Sequence, residues 1–287
     1  MNTKKYYAPV DIAEYTIQAG VTKANRSRLQ IFILGVLAGI FIAFASEGST
    51  MASFNLLANA DTYGLGKTLS GAIFGTGLII VMIGGAELFT GNCLMIMSVF
   101  EKKIKTIQML RNWFWVYLGN FVGSLIITYM MSVSGLFHSG DNGFGAVTIK
   151  LATQKANLDF TQALVLGIMC NILVCMAVWM CYGARDITGK IWAIFFPIWL
   201  FITSGFEHSI ANMYYIPAGI LAKMTPEYVD TALQIGVNAD KLANLTWGSF
   251  FVNNLLPVTL GNILGGVVFV AIAYWYVYIK CKNPRSY

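Results

Sequence analysis

The chain has 287 residues, 57% of them hydrophobic and only 11% charged. That charged share is under half of the roughly 25% usual in a soluble domain, so a soluble globular fold is excluded and an all-α polytopic membrane protein is expected. The net charge of +6 does not imply a nucleic-acid partner, because charge in a membrane protein is read loop by loop.

The polar N-terminal segment has no short apolar stretch followed by a small-residue cleavage site, so it does not read as a secretory signal. Within it, PVDIAEYTIQAG predicts an amphipathic helix, with Asp11 as its cap, Glu14 three residues on and Gly20 as its stop. Residues 1–28 are taken as this helix and its linker, and 29–287 as the membrane domain. Two roles stand for the helix, a cover over a pore or a passive interfacial anchor.

Six apolar runs follow, starting near Ile31, Leu69, Trp113, Thr161, Ile191 and Ser249, each long enough to span a bilayer. Six spans return both termini to one side. That side receives the N-terminus, the loops EKKIKTIQMLRN and GARDITGK, and the tail KCKNPRSY, which together carry 14 of the 19 Lys and Arg. The other side has Lys67, Lys150, Lys155, Lys223 and Lys241. By the positive-inside rule, both termini are cytoplasmic.

The second and fifth runs are too long for single straight spans. Residues 69–100 and 191–222 would each form a helix of roughly 45 Å against a hydrocarbon core of about 30 Å. Both contain a central Gly-Xaa-Glu followed by small and polar residues, so both are predicted to be interrupted. Aligning GAELFTGN (85–92) with GFEHSIAN (205–212) pairs Gly85 with Gly205, Glu87 with Glu207 and Asn92 with Asn212. The third and sixth runs share LGNFVG (118–123) and LGNILG (260–265). The matches keep their order and give two repeats, about 29–135 and 160–280. Three spans per repeat is an odd number, so the second copy is inverted, and the expected site lies at midplane where interrupted helices meet.

A broken helix leaves backbone groups without partners in lipid. Glu87 and Glu207 are therefore read as structural, each carboxylate accepting N–H bonds from its break; a role in proton transport is the other reading. His208 is not repeated, since Leu88 stands at its counterpart. An ionisable residue at that depth costs about 2.5–3.5 kcal/mol. Its asymmetry points to function, against a hydrogen-bonded neutral core histidine as the alternative. Glycines four residues apart (Gly35/Gly39, Gly71/Gly75, Gly119/Gly123, Gly261/Gly265) predict close helix contacts. Cys93, Cys170, Cys175 and Cys181 lie in or at the ends of spans without metal-ligand spacing, and Cys281 in the tail. No metal or cofactor is expected.

GGAELFTGN (84–92), GIMCNILVCMA (167–177), SGFEHSIANMYYIP (204–217) and NNLLPVTLGNILGG (253–266) resemble the formate/nitrite transporter family, and the resemblance covers nearly the whole chain. It implies an aquaporin-like fold, a homopentamer with one pore per protomer, and a multi-pass position in a bacterial-type inner membrane. The chain has no NPA pair, which speaks against a water or glycerol channel. By this resemblance His208 is the central histidine, Thr90 lies in the interrupted second span, and Lys155 in QKANLDF is the anion-attracting lysine, with Lys150 as its competitor. The apolar constrictions fall on Leu78, Leu88, Phe89 and Phe201, with Asn171 and Asn262 as polar neighbours.

The implied activity is pH-dependent passage of a monovalent weak-acid anion, formate first, with nitrite or hydrosulfide as near alternatives. Lys155 would draw the anion in, Phe and Leu would strip its water, and His208, helped by Thr90, would donate a proton so that a neutral species crosses. Lipid is the expected surrounding partner. A membrane redox or cofactor protein, argued from His208, Cys170 and Cys175, is the alternative of a different class, although two histidines supply haem poorly.

Overall fold

The structure is a computed structural model that describes residues 6–281, so Lys4, Lys5, Lys282 and Arg285 of the charge count lie outside the described residues. Helix α1 spans Pro9–Ala24. Its cap is Ala8, not Asp11. Pro9 opens the helix because its fixed φ is helical and its missing N–H would have no partner there. Asp11 instead reaches back and accepts the Ala8 N–H at 3.2 Å. Gly20 does not stop the helix either. It lies against Ser98, where a Cβ would collide with the hydroxyl that donates to the Ile17 carbonyl at 2.7 Å.

The chain continues through α2 (Arg28–Ala58), α3 (Tyr63–Gly84), α4 (Phe89–Phe100), α5 (Thr106–Val133), α6 (Gly143–Ala156), α7 (Phe160–Gly183), α8 (Ile187–Ser204), α9 (Ser209–Ala222), α10 (Pro226–Gln234), α11 (Ala239–Ala243) and α12 (Trp247–Lys280). Six of these are long and apolar enough to cross a membrane: α2, α3, α5, α7, α8 and α12. Most begin a few residues before the apolar run, because caps rather than hydropathy set the start. Ser27 and Gln30 form a reciprocal box before α2, as Asp159 and Gln162 do before α7.

The second and fifth spans are interrupted as expected. Helix α3 stops at Gly85 with φ +83°, and α8 at Gly205 with φ +79°. This left-handed conformation ends a helix and suits glycine alone without strain. The chain re-enters a helix four residues later, as α4 and α9.

Key backbone groups of each break are satisfied, but not by the glutamates. Asn120 of α5 accepts the Phe89 N–H at 3.0 Å and donates to the carbonyls of Gly35 and Glu87 at 2.8 and 2.9 Å. Asn262 of α12 does the same at the second break: it accepts from Ser209 N–H at 2.9 Å and donates to Gly167 and Glu207 carbonyls at 2.8 and 3.0 Å. The Glu87 and Glu207 N–H groups donate to Leu34 and Leu166 carbonyls. The expectation that each carboxylate holds its break by accepting backbone N–H bonds is therefore corrected. One amide side chain both donates and accepts, so it can serve an N–H and two carbonyls, whereas a carboxylate only accepts.

Glycines bring these asparagines within reach. Gly119 and Gly123 of α5 lie against the backbone of α2 at Phe32, Gly35, Val36 and Ile40, and Gly261 and Gly265 of α12 lie against α7 at Leu164, Gly167 and Ile168. Helix α1 seats its buried face (Ile12, Ala13, Ile17) on Leu94, Met97, Val178 and Val270, so its apolar side packs on protein. Tyr7 N–H donates to the Gly183 carbonyl, and Trp275 Nε1 to Glu101. The first helix, both basic loops and the end of α12 thus share one end of the bundle. Helices α6, α10 and α11 occupy the other.

Candidate functional site

The N-terminal ends of α4 and α9 meet inside the bundle. His208 is the cap of α9, and its Nδ1 accepts the Ala211 N–H at 3.1 Å. A backbone N–H can only donate, so Nδ1 carries the lone pair and the neutral ring holds its proton on Nε2. Nε2 lies 2.9 Å from Thr90 Oγ1 in the first turn of α4. Thr90 accepts from the ring and keeps its own hydroxyl hydrogen for another acceptor. Both residues are buried, Thr90 at 0% and His208 at 3% exposure. The Phe201 ring stands 6.0 Å from the imidazole and 5.6 Å from Phe74. Leu88 takes the position of His208 in the first break and caps nothing with its side chain. Asn171 braces the pair from α7, donating to the carbonyls of Thr90 and Asn262 at 3.2 and 2.6 Å.

The glutamates head two charged networks built alike. Glu207 accepts from Lys155 Nζ at 2.6 Å and from Asn212 Nδ2 at 2.6 Å; Asn212 also donates to Asn254, which donates to the Lys155 carbonyl at 3.0 Å. Glu87 accepts from Lys23 Nζ at 3.0 Å and from Asn92 Nδ2 at 2.7 Å; Asn92 donates to Asn112, which donates to the Lys23 carbonyl at 3.5 Å. Arg26 also binds Glu87. The last turns of α1 and α6 therefore present equivalent lysines at opposite ends of the bundle. Burial opposes the charge on Lys23, but the Glu87 carboxylate, its hydrogen bond and Tyr182 together hold its pKa above 10.5.

A cavity of about 310 Å³ opens at the end carrying α6. Lys67, Ser70, Lys155, Gly205, Glu207 and Tyr215 line it. Lys150 does not; its ammonium is held by the carbonyls of Leu57, Ala58 and Ile235 at 3.3, 3.4 and 3.4 Å. Leu78 and Leu88 are buried in the core. Phe89 turns toward α5, its ring 5.7 Å from Trp113 and 4.9 Å from Tyr117.

Lys23, Arg26, Asn112, Asn120 and Asn254 were not foreseen as members of these networks, nor Lys67 as lining the cavity. A signal existed for the asparagines: Asn112 and Asn120 are eight residues apart, as are Asn254 and Asn262. Cys175 Sγ lies 3.4 Å from the Thr90 carbonyl, as a weak donor, and Cys170 is buried in α7.

Residues 10–276 match the formate/nitrite transporter family. The chain is 36% identical over 278 residues to formate channel FocA of Escherichia coli strain K12, covering 95% of this chain and 94% of that protein. It is 40% identical over 271 residues to formate channel FocA of Haemophilus influenzae, covering 94% of each. Among solved structures, a pentameric formate channel with formate bound superposes with a TM-score of 0.77 at 39% identity, covering 88% of this chain and 98% of the other. An FNT family ion channel gives 0.76 at 28% identity, covering 93% and 98%. With a transmembrane bundle of six spans, two of them interrupted around a buried Thr–His pair, and relatives aligned along almost its full length, the chain belongs to the formate/nitrite transporter family.

Proposed function

We propose that the protein passes formate across the membrane as a homopentamer with one pore per protomer and with both termini in the cytoplasm. The observation that carries this reading is the Thr90–His208 pair at the meeting point of two helix N-termini. Helix N-termini carry partial positive charge and favour an anion, and Thr90 has a hydroxyl hydrogen to offer one. The repeated bonds around the two breaks support an inverted 3+3 repeat, and the basic loops beside α1 support the cytoplasmic assignment of that end.

The anion moves from the Lys155-lined cavity toward Phe201, Leu78 and Leu88, none of which replaces a hydration shell. His208 supports it in two ways. As the neutral ring, Nε2–H donates to Thr90 and orients that hydroxyl toward a carboxylate. Full proton transfer to formate takes the cationic ring, which is reached only when Nδ1 binds a proton and releases the Ala211 N–H. That step weakens the cap of α9 and places a cation at a helix N-terminus, so it is coupled to the presence of the anion. Formate leaves as formic acid, and no covalent bond of the substrate other than O–H changes.

Of the two lysines weighed from the sequence, Lys155 lines the cavity while Lys150 is tied to carbonyls, which supports Lys155 as part of the pathway. Nitrite and hydrosulfide are compact monovalent anions that could use the same contacts. The test is formate flux into proteoliposomes for wild type, His208→Asn and Thr90→Val at one acidic and one alkaline pH. Asparagine is expected to keep anion flux and to lose the acid-driven component. Unaltered pH dependence in assembled His208→Asn protein would contradict the role of the histidine.

A further inference from the structure

Lys155, the lysine singled out for attracting the anion, is already committed to Glu207 at 2.6 Å. Its charge is offset by a carboxylate that accepts nothing from Lys67. Two ammonium groups and one carboxylate line the cavity, which leaves one formal positive charge, and geometry assigns it to Lys67. We propose that Lys67, with Ser70 beside it, forms the first binding position for the small anion on the α6 side, ahead of the Thr90–His208 pair. The inference rests on the proposed anion channel and adds the residue that sets its apparent affinity.

Lys67 and Ser70 are three residues apart on α3 and so share one helix face, which borders the cavity. Among the described residues, Lys67 Nζ donates no hydrogen bond and makes no ion pair, while Lys155, the other lysine lining the cavity, does both. It lies within electrostatic reach of both Lys155 and Glu207. Its ammonium lies over the second break: a Cβ built on Gly205 would stand 3.7 Å from Nζ. Gly205 leaves that space open, and His208 follows three residues later. An anion resting on Lys67 would therefore sit at the mouth of the break that leads to the central pair. The α3 backbone is fixed there by Trp199 Nε1, which donates to the Thr68 carbonyl at 2.9 Å.

The opposite end lacks this arrangement. There both Lys23 and Arg26 bind Glu87, so that break carries a formal positive charge too, but each of its cations is engaged. The consequence is a pair of unlike breaks: an anion reaching the second break from the α6 end meets an uncommitted ammonium, and one reaching the first break meets cations already bound to Glu87.

Planar bilayer recordings with formate added first to one side and then to the other test this. For Lys67→Gln, half-saturation from the α6 side is expected to rise about tenfold, the scale on which a focused charge concentrates a small ion, with the saturating current retained. The rise should shrink at high ionic strength, and Lys67→Arg should stay near wild type. Unchanged half-saturation in assembled Lys67→Gln protein overturns the proposal, as does an equal change from both sides.

Should glutamine prevent assembly, Lys67→Cys can be recharged with a thiol reagent in a Cys281→Ser background, since the other four cysteines are buried. An ammonium-bearing reagent is expected to restore the low half-saturation and a sulfonate to raise it further; equal effects of the two overturn the proposal. Wild-type protein that carries nitrite but not formate would defeat the formate reading, while a Lys67-dependent half-saturation for nitrite would uphold the binding position. Formate passage that ignores Lys67 would do the reverse.

Discussion

Replacing Asn262 with leucine keeps the side-chain volume and removes three hydrogen bonds at the second break. Ser209 N–H loses its acceptor at 2.9 Å, and the carbonyls of Gly167 and Glu207 lose donors at 2.8 and 3.0 Å. Asn262 is fully buried, so water does not substitute. At about 0.6 kcal/mol for a side-chain bond within a membrane protein, three bonds sum to about 2 kcal/mol. Ser209 N–H and the Glu207 carbonyl are then left without a partner, which raises their share to about 1–3 kcal/mol each in place of the bond value, while the Gly167 carbonyl keeps its bond within α7. The expected loss is about 2–6 kcal/mol. Asn171→Leu is the control. It also removes two bonds, but the Thr90 carbonyl keeps the Cys93 N–H, so its loss should be smaller. Equilibrium unfolding in mixed detergent micelles measures both. A loss below about 1 kcal/mol for Asn262→Leu, or one no larger than for Asn171→Leu, would refute the reasoning that asparagine secures the break.

Gly85→Ala should destabilise by about 1–2 kcal/mol through the left-handed backbone alone, because no atom stands within 4 Å of the new Cβ. Gly123→Ala should cost more, since its Cβ would strike the α2 backbone at Val36 and Ile40; thermal unfolding of the two variants checks the order. Removing both cations with Lys23→Met and Arg26→Met leaves Glu87 buried without a cationic partner, and breaking a buried pair costs about 3–5 kcal/mol. The expected readout is loss of amide-exchange protection along Pro9–Ala24. Alkali gives a separate test. Because the folded pKa of Lys23 is raised, its contribution is fully present below 10.5 and is lost as pH rises through the higher folded value. Proteolytic resistance of α1 should therefore persist through neutral and mildly alkaline pH.

Hydropathy length made the six spans legible, and the two Gly-Xaa-Glu strings located both interruptions, because a left-handed glycine and an excess of helix leave marks within a single segment. The asymmetry between His208 and Leu88 was legible too, and the caps carry it: the ring of His208 accepts the Ala211 N–H, and the Leu88 side chain caps nothing. The charged networks were not. Lys23 reaches Glu87 across 64 residues and Asn92 across 69, and only packing brings such groups together. A carboxylate in an apolar run can be seen in the sequence, but its hydrogen-bond partners cannot, so the task done by Asn120 and Asn262 was assigned to Glu87 and Glu207. The caps of α1 were misread for a related reason: Asp11 looks like a cap until Pro9 is recognised as a stronger start. The kinship of α1 with α6 was hidden because α1 seemed a separate segment, whereas the equivalent bonds of Lys23 and Lys155 join each helix to the break it supports.

The most direct test of the account is a panel of formate, nitrite, hydrosulfide, acetate and chloride fluxes through the reconstituted wild-type protein at two pH values. Formate is expected to pass well above empty liposomes, faster than acetate and chloride, and faster as the medium is acidified. Absence of formate flux in correctly assembled protein, or passage of chloride as fast as formate, would contradict it.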